Sequence, residues 1–151
     1  MFAKTAQAQI FLKDNWKDTK KIYYAIVHGK MLQREGVITS HLYEDEGYMM
    51  HSVEDSSQGK LAQTAYKVIK ESDKFTLLEI DLLTGRKNQI RVHLAQEGHP
   101  VVGDSKYGKN MRKYPDLALH SFKISFTHPF SRERLTFTVP VPEFFKSLVP
   151  R

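Results

Sequence analysis

The chain has 151 residues, 40% of them hydrophobic, enough for one core and short for two ordinary domains, so a single domain over residues 1–151 is expected. Its 23 Lys and Arg against 17 Asp and Glu give a formal net charge of +6, which points to an anionic partner, nucleic acid first, with a basic surface kept for solubility as the plain alternative. There is no cysteine, which excludes disulfides and thiolate metal sites, and no run of about 18 apolar residues that would span a bilayer.

Residues 1–20 lack an apolar signal core followed by a small-residue cleavage site, so a cytoplasmic protein with no membrane partner is expected. Residues 3–18 fit a helix, with Thr5 as its cap and Ala6, Ile10 and Leu12 or Lys13 near one face. In "KIYYAIVHG", Ile22, Tyr24 and Ile26 alternate with Tyr23, Ala25 and Val27, and both sets are mostly apolar; a strand covered on both faces is expected. Residues 35–60 read as a loop-rich excursion with weak strands, broken by charge, Gly and Ser. Residues 61–85 predict two strands joined at 71–74, with Thr76, Leu78, Ile80 and Leu82 on one face of the second. A helix over 87–97 stops at Gly98, and "GKNMRKYPD" follows as a basic loop. Residues 117–142 predict a hairpin that matches Phe122, Ile124 and Phe126 to Leu135, Phe137 and Val139; Pro142 to Leu148 closes the chain with a helical turn or two. Strands outnumber helices and links are short, so an α+β fold is expected, with a largely antiparallel sheet and a few packed helices.

At about 100° per residue, Ile90 and Leu94 fall on one side of the helix over 87–97 and Val92 and Ala95 on the other. Arg91 lies between them, and Gln89, His93, Gln96 and Glu97 take the opposite side. An inward guanidinium needs a carboxylate, because an unpaired buried charge is strongly unfavourable. Either Arg91 pairs with a framework acid such as Asp81 or Asp104, or it holds a catalytic carboxylate or a phosphate in a cleft. Thr84 and Gly85 can form a turn before the helix, Arg86 and Lys87 add charge, and free amides at a helix start accept phosphate oxygens.

The run "LTGRKNQIRVHLAQEGHPVVGDSKYG" resembles the signature of RluA-type RNA pseudouridine synthases, with its Thr-Gly-Arg turn, Gln-Ile-Arg helix and Gly-His-Pro, Gly-Asp, Tyr-Gly tail in order. "KIYYAIVHG" resembles that family's Lys-x-Tyr-x-Ala-x-Val-x-Gly strand, "GKLAQTAYKVI" its Lys-x-Ala-x-Thr stretch, and "LALHSFKISFTHP" its Leu-His and Phe-x-His-Pro strand. The resemblance implies a mixed, mostly antiparallel sheet and isomerisation of uridine to pseudouridine in structured ribosomal or transfer RNA, with no metal or organic cofactor. It also implies that an Asp attacks the nucleoside and that the base detaches, turns over and rejoins the sugar through C5. Tyr23 stands at the family's base-stacking tyrosine, and Arg91 at the arginine that pairs with the catalytic Asp.

The family's His-Arg-Leu-Asp motif occurs nowhere in residues 1–151, and the chain opens on "MFAKT", a stretch that in the family follows that motif. None of Asp81, Asp104 and Asp116 stands in the matching context, and Asp104, after a Gly in a turn, suits a local hydrogen-bond acceptor. Asn88 stands where the family usually carries His. The expectation is therefore an incomplete, truncated pseudouridine synthase catalytic domain, inactive alone, whose exposed surface favours self-association. The alternative is a non-catalytic RNA-binding remnant. RNA contacts are expected from Arg86, Lys87, Asn88, Gln89, Lys106, Lys109, Arg112 and Lys113. A metal site at His93, His99 and Asp104 is set aside, since a spacing of six does not place two imidazoles on one helix face. Phe122, Phe126, Phe137 and Tyr66 are assigned to core packing.

Overall fold

A computed structural model describes residues 1–108 and 113–150. Helix α1 (Ala6–Asp14) begins at Thr5, whose Oγ1 accepts from the Ala8 amide at 3.2 Å, as the capping pattern predicts. Only Ala8 of this helix is buried; of the expected apolar face Leu12 is partly covered, whereas Ala6 is exposed and Ile10 is 60% exposed. A single 3-10 turn (Trp16–Asp18) leads into the sheet.

The seven strands are β1 (Lys20–His28), β2 (Glu35–Glu44), β3 (Met50–Val53), β4 (Lys60–Glu71), β5 (Phe75–Leu82), β6 (Leu119–Thr127) and β7 (Arg134–Thr138). They form one sheet in the order β3-β2-β4-β5-β1-β6-β7, antiparallel at each pairing of named strands. The strand predicted to be covered on both faces is β1, which holds Ala25, Ile26 and Val27 at 0% exposure near the sheet's centre. The stretch read as loop-rich contains a ten-residue strand, β2, because its polar Ser40 and Thr39 pair across β4 while Ile38 and Leu42 alternate into the core. The β4–β5 link is where the sequence places it. Against β1, β6 skips Phe122 between the Ile22–Lys123 and Tyr23–Ser121 pairs, and Phe122 stacks on Tyr24 at 4.5 Å. In the predicted hairpin Ile124 and Phe126 pair with Phe137 and Leu135, and the Phe122 carbonyl accepts from the Val139 amide at 3.0 Å, as the sequence matched them. Phe126 and Tyr66 are partly buried, but Phe137 is 57% exposed, which corrects its assignment to the core.

Helix α2 (Gln89–Gln96) lies on one side of the sheet, its Ile90 and Leu94 joining the main core. Helix α3 (Glu143–Leu148) starts from Pro142 and packs Phe145 against His120. Between α2 and β6 the chain crosses β1: Val102 donates to the Ile26 carbonyl and accepts from Ala118, and Ala118 accepts in turn from Ile26. Gly103 makes that crossing feasible. Its φ is 81°, and a Cβ there would lie 1.9 Å from the Asp116 carbonyl oxygen. No helix of the described residues is long and apolar enough to cross a membrane.

Candidate functional site

The inward guanidinium of α2 finds its carboxylate within the chain. Arg91 Nε donates to Asp104 Oδ2 at 2.9 Å and Nη2 to Oδ1 at 2.7 Å, a two-point fork geometry. Asp104 is fully buried, and its Oδ1 also accepts from the Lys106 and Tyr107 amides, each at 3.0 Å. Burial alone pushes the Asp104 carboxyl up, but the Arg91 hydrogen bonds, the Tyr107 amide and the Arg91 charge outweigh it, and the group sits below its ordinary range. Arg91 is held above its own ordinary value chiefly by those hydrogen bonds. Of the two framework acids considered, Asp104 is the partner, whereas Asp81 faces Lys20 at 3.8 Å. Arg91 therefore has a framework acid as its partner, the first of the two readings open to it. One donor is left lightly engaged, Nη1, at 3.4 Å from Asn88 Oδ1.

Tyr23 and Arg91 line one cavity of about 180 Å³, with Leu82, Leu119, Ile90 and Arg86 among its walls. The bulge that adds Phe122 to β6 lies directly opposite Ile22 and Tyr23, beside that cavity. Asn88 precedes α2 in the left-handed conformation, φ 54°, which Asn tolerates better than most residues. Its Nδ2 donates to Tyr107 Oη at 3.2 Å, and the Tyr107 ring lies 5.1 Å from the Arg91 guanidinium. Asn in place of the family's His therefore ties the turn to the Arg91–Asp104 pair.

A run of polar side chains anchors the turn and helix to the sheet. Gln89 Oε1 accepts from Thr84 Oγ1 at 2.7 Å and from the Arg86 amide at 3.0 Å; its Nε2 donates to the Gln63 carbonyl and to Thr64 Oγ1, each at 2.9 Å. His93 bridges Thr64 Oγ1 through Nδ1 and Ser40 Oγ through Nε2, both at 2.8 Å, and Ser52 donates to Ser40 at 2.7 Å. Gln89 and His93, on the side opposite the apolar arc, are 2% and 0% exposed and thus face the sheet. Burial pushes the His93 imidazole down to about 4, so it is neutral near pH 7. Gln89 has each polar atom engaged inside the protein, which removes it from the expected RNA-facing set.

The other expected cations lie at the surface. Arg86 Nε donates to the Leu61 carbonyl at 3.0 Å, Lys87 pairs with Glu44, Lys106 Nζ donates to the Tyr48 carbonyl at 2.9 Å, and Lys113 is exposed beside Tyr114. Lys109 and Arg112 lie outside the described residues. Tyr107 and Lys21 were not singled out by residue reading. Lys21, in the strand motif, has its pKa lowered by burial against the opposing pull of Asp81 and lies 5.4 Å from the Trp16 ring.

The family model described as RNA pseudouridylate synthase matches residues 1–96. An uncharacterized RNA pseudouridine synthase of Bacillus subtilis is 36% identical over 152 residues, covering 98% of this chain and 50% of its own length. The ribosomal large subunit pseudouridine synthase D of Nitrosomonas europaea is 34% identical, covering 97% of this chain and 45% of its own length. The dual-specificity RNA pseudouridine synthase RluA of Vibrio cholerae is 35% identical over 93% of this chain and 59% of its own length. The chain thus spans about half the length of the curated relatives it matches. Among solved structures, Human RNA Pseudouridylate Synthase Domain Containing 1 superposes with a TM-score of 0.77 at 26% identity, over 94% of this chain and 61% of that one. The chain belongs to the RNA pseudouridylate synthase family.

Proposed function

We propose that this chain supplies the uridine-holding side of an RNA pseudouridine synthase site, acting on structured ribosomal or transfer RNA in the cytoplasm. The observation that carries the reading is that Tyr23 and Arg91, distant in sequence, line the same small cavity beside a basic turn. An extruded uridine stacks on Tyr23 between the apolar walls Leu82 and Leu119, since a base removed from its helix needs a π-face and edge contacts. Arg91, fixed by Asp104, offers Nη1 to an anionic group at the cavity, a nucleophilic carboxylate or an RNA phosphate. Arg86, Lys87, Asn88, Lys106 and Lys113 contact the surrounding RNA backbone, and Lys109 and Arg112 belong to the same expected set.

The isomerisation needs an aspartate nucleophile, and Asp104 does not fill that role: it is fully buried, with both oxygens committed to Arg91. With no His-Arg-Leu-Asp among its residues, the chain assayed alone on uridine-containing RNA is expected to bind and to form no pseudouridine; turnover at enzyme-like rates overturns the assignment. The Arg91–Asp104 pair, closed within the chain, also favours a second reading, a non-catalytic RNA-binding module. A His-Arg-Leu-Asp coding frame directly upstream separates the two. Self-association is also expected, because Phe130, Phe137 and Val139 on and beside the β7 edge are 61%, 57% and 51% exposed. A clean monomer by light scattering at high concentration counts against it.

A further inference from the structure

We propose that Tyr48, at the tip of the β2–β3 hairpin, is a stacking platform for an unpaired base of the bound RNA outside the Tyr23 cavity; the proposal rests on the RNA reading above. Tyr48 adopts φ 62°, a left-handed conformation that is unfavourable for a bulky side chain. Gly47, the neighbour suited to that conformation, does not use it. The turn is held there from several directions: Asp45 Oδ1 accepts from the Gly47 and Met49 amides, each at 2.9 Å, and Lys106 Nζ donates to the Tyr48 carbonyl at 2.9 Å. The result is a tyrosine 69% exposed to solvent, with Lys87 Nζ 5.6 Å from its ring centroid.

A hairpin tip that only had to reverse the chain would place Gly at the left-handed position. Holding a tyrosine there keeps a rigid π-face outside the protein. The two lysines that fix it come from the turn before α2 and from the segment after Asp104, so the ring is tied to both ends of the candidate site. With a cation on one side and solvent on the rest, the ring offers its open face to a base, and the lysines lie within reach of the phosphates beside that base. Stacking of this kind tolerates any base, so Tyr48 contributes affinity and positioning without reading sequence.

The test is binding of the full chain to a uridine-containing RNA stem-loop with an unpaired loop, followed by fluorescence anisotropy across a salt series. Tyr48→Ala and Tyr48→Gly are expected to weaken binding about tenfold with an unchanged salt slope, and Tyr48→Phe to keep the affinity. Lys87→Met lowers the slope of log affinity against log salt by about one. Tyr48→Gly is also expected to raise the melting temperature, because it relieves the backbone, so weaker binding is not explained by misfolding. Wild-type affinity in Tyr48→Ala overturns the proposal, as does equal loss in Tyr48→Ala and Tyr48→Phe, which assigns the effect to the hydroxyl. Absence of RNA binding by the wild-type chain overturns the RNA reading and this proposal with it.

Discussion

Asp104 takes two of Arg91's donors, at 2.9 and 2.7 Å, while its carboxylate is fully sheltered from solvent. Removing one member of such a pair strands a charge in the interior, a change that costs about 3 kcal/mol or more. Asp104→Ala is therefore expected to destabilise the fold by that order in urea titration. Asp81→Ala, whose partner Lys20 is largely exposed at 3.8 Å, is expected to cost under about 1 kcal/mol.

Gly103 permits that arrangement, because it carries the chain over Asp116 into Asp104. A methyl group there would meet the Asp116 carbonyl oxygen at 1.9 Å with φ at 81°. Gly103→Ala is expected to lower stability by about 2 kcal/mol or more and to disturb the Arg91–Asp104 pair. A melting curve within a degree of wild type contradicts this.

His93 makes the fold acid-sensitive. The imidazole is pushed from 6.5 to about 4 by burial, so above pH 6.5 both folded and unfolded chains carry it neutral and its contribution is complete. As pH falls from about 6.5 to about 4, the unfolded chain takes up a proton that the folded one refuses, and stability drops with a limiting slope of about 1.4 kcal/mol per pH unit. Asp104, with its folded pKa depressed below 3.8, adds a further loss only as the pH falls lower. Urea titrations from pH 7 to 4 check the first window. His93→Gln is expected to be less stable at pH 7 and to flatten the dependence.

Gln89 ties the Thr84–Arg86 turn to β4 through four hydrogen bonds. Gln89→Leu keeps the volume and leaves those partners unsatisfied, at an expected cost of about 2 kcal/mol. Because the turn carries Arg86, RNA affinity is expected to fall while the number of phosphate contacts, read from the salt slope, stays the same.

Much of this was legible in the sequence where one local signal dominates. The Thr5 cap, the β4–β5 link and the double-sided burial of β1 follow from capping, turn and alternation patterns. Arg91 stood out because it interrupts an apolar arc, and that arc required an acid. What the sequence could not supply was which acid, since Asp104 reaches Arg91 only through the crossing at Gly103. Gln89 and His93 fall opposite the apolar arc on a helical wheel, which does not reveal that Thr64 and Ser40 on the sheet give them buried partners. Strand β2 was underestimated because its Gly36, Ser40 and His41 break an apolar pattern that neighbouring β4 completes. The match of Phe122 to Val139 across the β6–β7 hairpin was legible in the alternation, whereas the bulge against β1 opposite Tyr23 was not, because it adds a residue that no periodicity reveals.

The central claim is that the cavity shared by Tyr23 and Arg91 receives a uridine. Photo-crosslinking of the chain to an RNA stem-loop carrying 4-thiouridine in its loop, with the adducts mapped by mass spectrometry, tests it most directly. The account predicts adducts on Tyr23 or the neighbouring walls Leu82 and Leu119, lost in Tyr23→Ala while overall RNA binding persists. Adducts confined to the far β7 edge, or unchanged in Tyr23→Ala, would contradict it.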